Sequence, residues 1–176
     1  MSGTIVSPHL RDLTPADRDR IEAITRSVGL FRDDEVPIAL EVFDEAVGGR
    51  PANTYNVLGA ELDSRLVGWI CWGATPCTLG TYDLYWMAVD PDAQGSGIGT
   101  ALLLEMERRL AGLARLIVIE TAGRADYEGT RAFYQGRGYS AVSVIPDFYA
   151  PGDDQVVFVK EAGKLGSEEA RKDVAG

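Results

Sequence analysis

The ten residues Asp90–Gly99 read DPDAQGSGIG and place three glycines, at 95, 97 and 99, within five positions. They follow the apolar run Tyr82–Val89 and precede the leucine-rich stretch Ala101–Leu110. The chain must therefore pass from an extended segment into a helix through a loop whose backbone can take positive φ or approach another group closely. That order also creates a possible anion site. The N–H groups of a first helical turn lie outside the helix's own ladder, and the helix dipole adds about half a positive charge there. A tight turn that merely needs glycine satisfies the same pattern. Two better-known phosphate loops are excluded. Thr100 stands where the dinucleotide fingerprint G-x-G-x-x-G needs its third glycine, and no Gly-Lys-Ser/Thr follows as a P-loop requires.

Around this loop the apolar period alternates between helix and strand. Residues 10–13 end a first strand, and Thr14-Pro15-Ala16-Asp17 is a helix start, with Ile21, Ile24 and Val28 at helical spacing. A second helix is expected over Asp33–Val47. Strands are predicted at Tyr55–Leu62, Leu66–Trp72 and Tyr82–Val89, the first two joined by a turn at Asp63-Ser64-Arg65. A loop is expected over Gly73–Thr81. A helix follows over Gly97–Gly112, then a strand at Arg115–Glu120 and a short helix at Tyr127–Gln135. Two final strands, Tyr139–Ile145 and Gln155–Lys160, flank an expected loop, PDFYAPGDD. The order predicts a mixed α/β domain over residues 1–160, with a central, mostly antiparallel sheet of about six to seven strands and about four helices. Residues 161–176 are small and charged without an apolar period, and are expected to form a disordered tail.

Composition narrows the function. The 176 residues carry a net charge of −10, which opposes binding to nucleic acid or anionic membrane. No apolar run is long enough to span a bilayer, and the N-terminus lacks the pattern of a signal peptide, so a cytoplasmic address is the expectation. Cys71 and Cys77, the two cysteines, are too few for a zinc site and are expected to be ordinary buried or half-buried thiols; no metal is expected. His9, the single histidine, lies near the N-terminus, which argues against a Ser-His-Asp triad.

The spacing that does match is Gln94-x-x-Gly97-x-Gly99 after Met87-Ala88-Val89-Asp90-Pro91, and the downstream segment Arg131–Tyr139, RAFYQGRGY, lies in the matching order. Together these resemble the GNAT superfamily of acyl-CoA-dependent N-acyltransferases, over roughly residues 10–160. The resemblance implies that Gln94, Gly95, Ser96, Gly97, Ile98, Gly99 and Thr100 cradle the pyrophosphate of acetyl-CoA. It implies that Met87, Ala88 and Val89 bond the pantetheine arm by main-chain groups and that an N–H at this strand end receives the oxyanion. Its acceptor would be a primary amine on a small molecule, peptide or protein. A homodimer is a further expectation, since similar proteins often pair. One departure is plain: the family often carries Asn seven residues before the landmark Tyr, and this chain has Tyr127.

Acyl transfer to an amine needs a neutral nucleophile and a protonated leaving thiolate. A lysine-like amine is neutral in only about one part in 2,500 at pH 7, so a base or water chain must be near. Tyr134 is the candidate acid, by its place in the Phe-Tyr landmark, with aromatic packing as the alternative role. Asp83 is the carboxylate inside the Tyr82–Val89 strand and the candidate base, directly or through water; a structural role at the strand start is the alternative. Glu120 is the second candidate. Cys77 shows no sign of an activated thiol, so direct attack within a ternary complex fits better than a covalent route. A non-catalytic acyl-CoA-binding or sensing module is the alternative, needing the glycine loop but neither Tyr134 nor Asp83.

Overall fold

Eight consecutive positions of one strand, Leu66 to Gly73, are buried, which marks it as interior to a sheet covered on both faces. The structure is a computed structural model and describes residues 7–49 and 55–161. The buried strand is β3 (Arg65–Ala74), in a chain running β1 (His9–Asp12), α1 (Arg18–Ser27), α2 (Glu35–Val47), β2 (Asn56–Leu62), β3, β4 (Thr81–Val89), α3 (Ile98–Leu110), β5 (Leu116–Ala122), α4 (Glu128–Gln135), β6 (Ser140–Ala150) and β7 (Asp153–Lys160). The strands form a seven-stranded sheet in the order β1-β2-β3-β4-β5-β7-β6. β4 and β5 pair in parallel and the pairs β1–β2, β2–β3, β5–β7 and β6–β7 are antiparallel. This is the mixed α/β architecture expected from the sequence. The described residues divide into two compact units, one holding the chain up to Gly73 with Trp86–Met106, the other Ala74–Tyr85 with the chain from Glu107 onward.

In the first unit, α1 buries Ile21, Ile24 and Thr25, and α2 buries Val36, Ala39, Leu40 and Phe43, an apolar stripe at helical spacing in each case. Pro37 is accommodated because it falls in the first turn of α2, where no helical N–H is required of it. Phe43 meets the fully buried Trp69 edge-on at 6.3 Å. The indole N–H of Trp69 donates to Thr25 Oγ1 (3.1 Å), and Thr25 Oγ1 donates to the Ile21 carbonyl (2.7 Å), so the polar end of the largest core residue is satisfied. The β2–β3 turn puts Asp63 and Ser64 at φ 50° and 62°, the two-residue hairpin geometry that matches strand twist.

In the second unit β7 pairs with β5 from Ile117↔Lys160 to Ala122↔Gln155 and with β6 on its other edge. Glu107 from the end of α3 accepts from Lys160 Nζ (2.9 Å) and from the Tyr139 hydroxyl (2.9 Å), so three polar groups bury one another.

Two expectations need correction. The PDFYAPGDD segment is mostly strand: β6 runs on to Ala150 and β7 begins at Asp153, leaving only Pro151-Gly152 as the turn. Side chains make this possible where Pro146 lacks an N–H. Asp147, at φ 53°, accepts from the Gly152 N–H (2.6 Å), and its own N–H donates to Asp154 Oδ1 (3.0 Å). His9 lies within β1, opposite Glu61 and 3.4 Å from its carboxylate. Cys77 is exposed rather than half-buried, whereas Cys71 is buried and its thiol is pushed up by desolvation. The C-terminal tail expected from residue 161 lies outside the described residues except for Glu161.

Asp17 ties the start of α1 to the sheet. It accepts from the Thr14 N–H (2.8 Å) and receives both terminal nitrogens of Arg11 (2.9 and 2.8 Å), while Arg11 Nε donates to Glu61 (2.6 Å). The Arg11 guanidinium, more than any other group, holds the Asp17 carboxyl down at about 2. A depressed carboxyl contributes stability above its unfolded value of 3.8, and that contribution is lost as pH falls toward about 2. Asp17→Asn is expected to lower stability at pH 7 by about 1–2 kcal/mol. Urea unfolding of the variant should also show a flatter loss of stability between about pH 4 and 2.

Candidate active site

The glycine loop is held at its entrance by a buried carboxylate. Asp90 closes β4, donating its N–H to the Val67 carbonyl (2.7 Å). Its side chain, in a residue 5% exposed, accepts from Arg20 (2.5 Å), Arg65 (3.0 Å) and the Asp92 N–H (3.1 Å). Arg20, foremost among these, keeps the carboxyl below its ordinary range. Arg20 also donates to the Leu66 carbonyl (2.8 Å), so one α1 side chain fixes the β3 start and the β4 end together. Sequence reasoning missed Arg20 and Arg65; an Asp-Pro at a strand end was the available signal that a cation would be needed there.

Beyond Asp90 the chain makes a single turn at Pro91–Ala93, and Ser96 Oγ donates back to the Ala93 carbonyl. Gly95 and Gly97 stand at φ 77° and 84°, and a Cβ built on either meets nothing within 4 Å. Their requirement for glycine is thus conformational, and the space they face is open. The first rung of α3 is the Ala101 N–H to the Gly97 carbonyl (2.9 Å), so the helix itself uses no donor from residues 95–99. Gly68 sets how closely α3 lies on β3. A Cβ there would stand 2.8 Å from Ile98 Cγ2 and 3.3 Å from both the Ala88 carbonyl and Leu102 Cδ1. The same unit holds Met87, Ala88 and Val89, of which Ala88 is buried.

The second unit gathers the carboxylates. The β4–β5 ladder runs from Thr81↔Leu116 to Leu84↔Ile119 and does not extend to Tyr85 and Glu120. Asp83 is paired with Val118, so strand alternation puts Asp83, Tyr85 and Glu120 on one face, with Glu120 just past the last rung. Asp83 accepts from Thr75 Oγ1 (2.5 Å) and, at 3.5 Å, from the Tyr85 hydroxyl. Glu120 is exposed at its rim, yet desolvation and then the Asp83 charge raise its carboxyl above the usual range. The structure therefore brings together the two carboxylates that the sequence offered singly.

Tyr134 lies near the end of α4. It is 4% exposed and packs edge-on against Phe133 (5.3 Å) and Tyr139 (5.9 Å), with Phe158 at 6.3 Å. Burial, then Tyr127, pushes its phenol well up; neither Asp83 nor Glu120 is among the groups that perturb it. Tyr127 lies under the Arg124 guanidinium, 5.1 Å from ring centroid to Cζ. Among the other aromatics, Trp72 is core at 2% exposed, and Phe148 is 52% exposed against Tyr149.

A family model described as an acetyltransferase (GNAT) domain matches residues 53–141, half of the chain. The chain belongs to the GNAT acetyltransferase family. A crystal structure of a Desulfovibrio desulfuricans protein assigned to the same family is 37% identical, superposes with a TM-score of 0.84, and is covered over 99% of its length by 89% of this chain. An uncharacterised N-acetyltransferase of Methanocaldococcus jannaschii is 32% identical over 58% of this chain and 64% of its own. The fold is shared with the PaiA N-acetyltransferase of Thermoplasma acidophilum, solved in complex with coenzyme A, at 19% identity and a TM-score of 0.69, over 89% of this chain and 99% of that one. The match spans 40 to 64% of the length of these curated relatives.

Two outcomes follow from the geometry. Gly68→Ala must displace the stiff Ile98 side chain, and is expected to lower stability by about 1–3 kcal/mol in urea unfolding. Asp83→Asn removes the like charge beside Glu120 and is expected to lower the Glu120 midpoint in a carboxyl-carbon NMR titration.

Proposed function

We propose that the chain transfers the acetyl group of acetyl-CoA to a primary amine of a small molecule or peptide, by direct attack within a ternary complex. The observation that carries the reading is the open loop at the α3 N-terminus, with Gly95 and Gly97 at positive φ and unfilled space before them, in a chain of GNAT family membership. The donors of residues 95–99 suit a pyrophosphate, and Met87–Val89 suit a pantetheine amide chain. When bound, acetyl-CoA supplies the activated thioester. The shared fold with a coenzyme A complex supports this choice of donor.

Glu120 takes the proton from the attacking ammonium. Its raised carboxyl suits a base working against an amine, and Asp83, anchored by Thr75, acts by keeping it raised. Asp83 as the direct base is the weaker choice, because one of its oxygens is already bonded to Thr75. The neutral amine nitrogen forms its bond to the acyl carbon, the carbon–sulfur bond breaks, Tyr134 gives its hydroxyl proton to the leaving thiolate, and the second proton lost by the nitrogen as it becomes an amide restores the phenol. A phenol held well above its ordinary range stays protonated at neutral pH, as an acid must.

The test is thiol release from acetyl-CoA with a panel of amines. Tyr134→Phe is expected to slow release about 10²-fold with coenzyme A affinity retained. Glu120→Gln should lower kcat/KM by a similar factor. It should also remove the limb of the pH profile that rises as Glu120 loses its proton. Gly97→Asp should abolish coenzyme A binding, and unchanged affinity would overturn the cradle. Tight acetyl-CoA binding with no acceleration by any amine would make the chain a binding module instead.

A further inference from the structure

Asp153 opens β7 with 5% of its surface exposed, and its Oδ1 is a buried oxygen without a hydrogen-bond partner among the described residues. Its Oδ2 accepts from Arg124 (3.2 Å), but that guanidinium is also committed to Asp126 (3.1 Å). A buried carboxylate oxygen without a donor is costly, and a donor from outside the chain removes the cost. Two residues along stands Gln155, a buried amide 4% exposed. It lies opposite Ala122, a small residue that leaves the face low at that point.

Register connects these groups to the carboxylates of the site. Glu120 pairs with Val157 and Ala122 with Gln155, and paired residues share a face. By alternation along β7, Gln155 and Asp153 lie on the same face as Glu120 and Asp83. From Val157 to Asp153 the strand advances on the order of 13 Å. The face thus carries a carboxylate at each end, with an amide between them.

We propose that this face binds an acyl acceptor with a second cationic group, an ammonium or guanidinium on the order of 13 Å from the amine that reacts, seated on Asp153 Oδ1 and passing Gln155. The inference rests on the acetyl-transfer reading, with Glu120 at the reacting end. Asp153 and Gln155 then set which amine is accepted, and the acceptor is an extended diamine, polyamine or doubly basic peptide segment.

Linear diamines of graded length, each against the monoamine of equal length, test it in the thiol-release assay. The ratio of diamine to monoamine kcat/KM should peak where the nitrogens are on the order of 13 Å apart, at about tenfold or more. Asp153→Asn should bring that ratio close to one, and Gln155→Glu, which adds a carboxylate on the same track, should raise it. A ratio near one at every length, or one that survives Asp153→Asn in a folded variant, overturns the proposal while leaving acetyl transfer to simple amines standing. If no amine is acetylated, the activity falls and the binding site is still decided. Calorimetry with the long diamine alone should show tighter binding to the wild type than to Asp153→Asn, and equal binding overturns the site. Should Asp153→Asn fail to fold, the Gln155→Glu arm decides: an unchanged ratio and affinity there overturn it.

Discussion

Four register pairs join β4 to β5, and the chemistry of the second unit begins where they end. Parallel strands that stay paired satisfy their own backbone groups and leave nothing for a ligand. Strands that part after Leu84 and Ile119 leave backbone and side chains at the break to find other partners. Glu120 falls immediately beyond the last rung and Asp83 one step inside it, which is why the Asp83 charge adds to desolvation in raising the Glu120 carboxyl. Neither residue is unusual in itself. Their effect comes from the position at which the sheet stops being a sheet.

The glycine loop depends on a constraint of another kind. Asp90 is buried with two guanidiniums on it, and a carboxylate so held fixes the direction in which the chain leaves β4. Gly68 then lets α3 settle on β3 within a distance that any side chain would forbid. The loop between is free to be polar, exposed and at positive φ because both of its ends are fixed by contacts it does not make.

Much of this was legible in the amino-acid sequence. Periodicity and turn residues placed every helix, and every strand but the end of β6, to within a few positions, since each is amphipathic or buried in the manner its period demands. The glycine spacing and the Phe-Tyr segment pointed to the family that the comparisons bear out. The β6–β7 hairpin was misread because Pro146, Asp147, Pro151 and Gly152 are loop residues by propensity. Aspartate side chains there replace the missing ladder bonds, and such compensation is non-local until the strands are paired. The partnership of Glu120 with Asp83 and the clasp of Arg20 and Arg65 on Asp90 were hidden for the same reason. They join residues 37, 70 and 25 positions apart, and only the register of the sheet brings them within reach.

The two halves of the proposed chemistry are also written in different materials. The donor cradle consists of backbone conformations, and a backbone loop tolerates change in neighbouring side chains as long as its glycines persist. Asp153 and Gln155 are side chains on β7, one strand in from the edge strand β6, and neither belongs to the glycine loop. Lineages descended from such a chain can therefore drift in the amine they modify while the acyl donor stays fixed. Sequence divergence among them should be read first along β7.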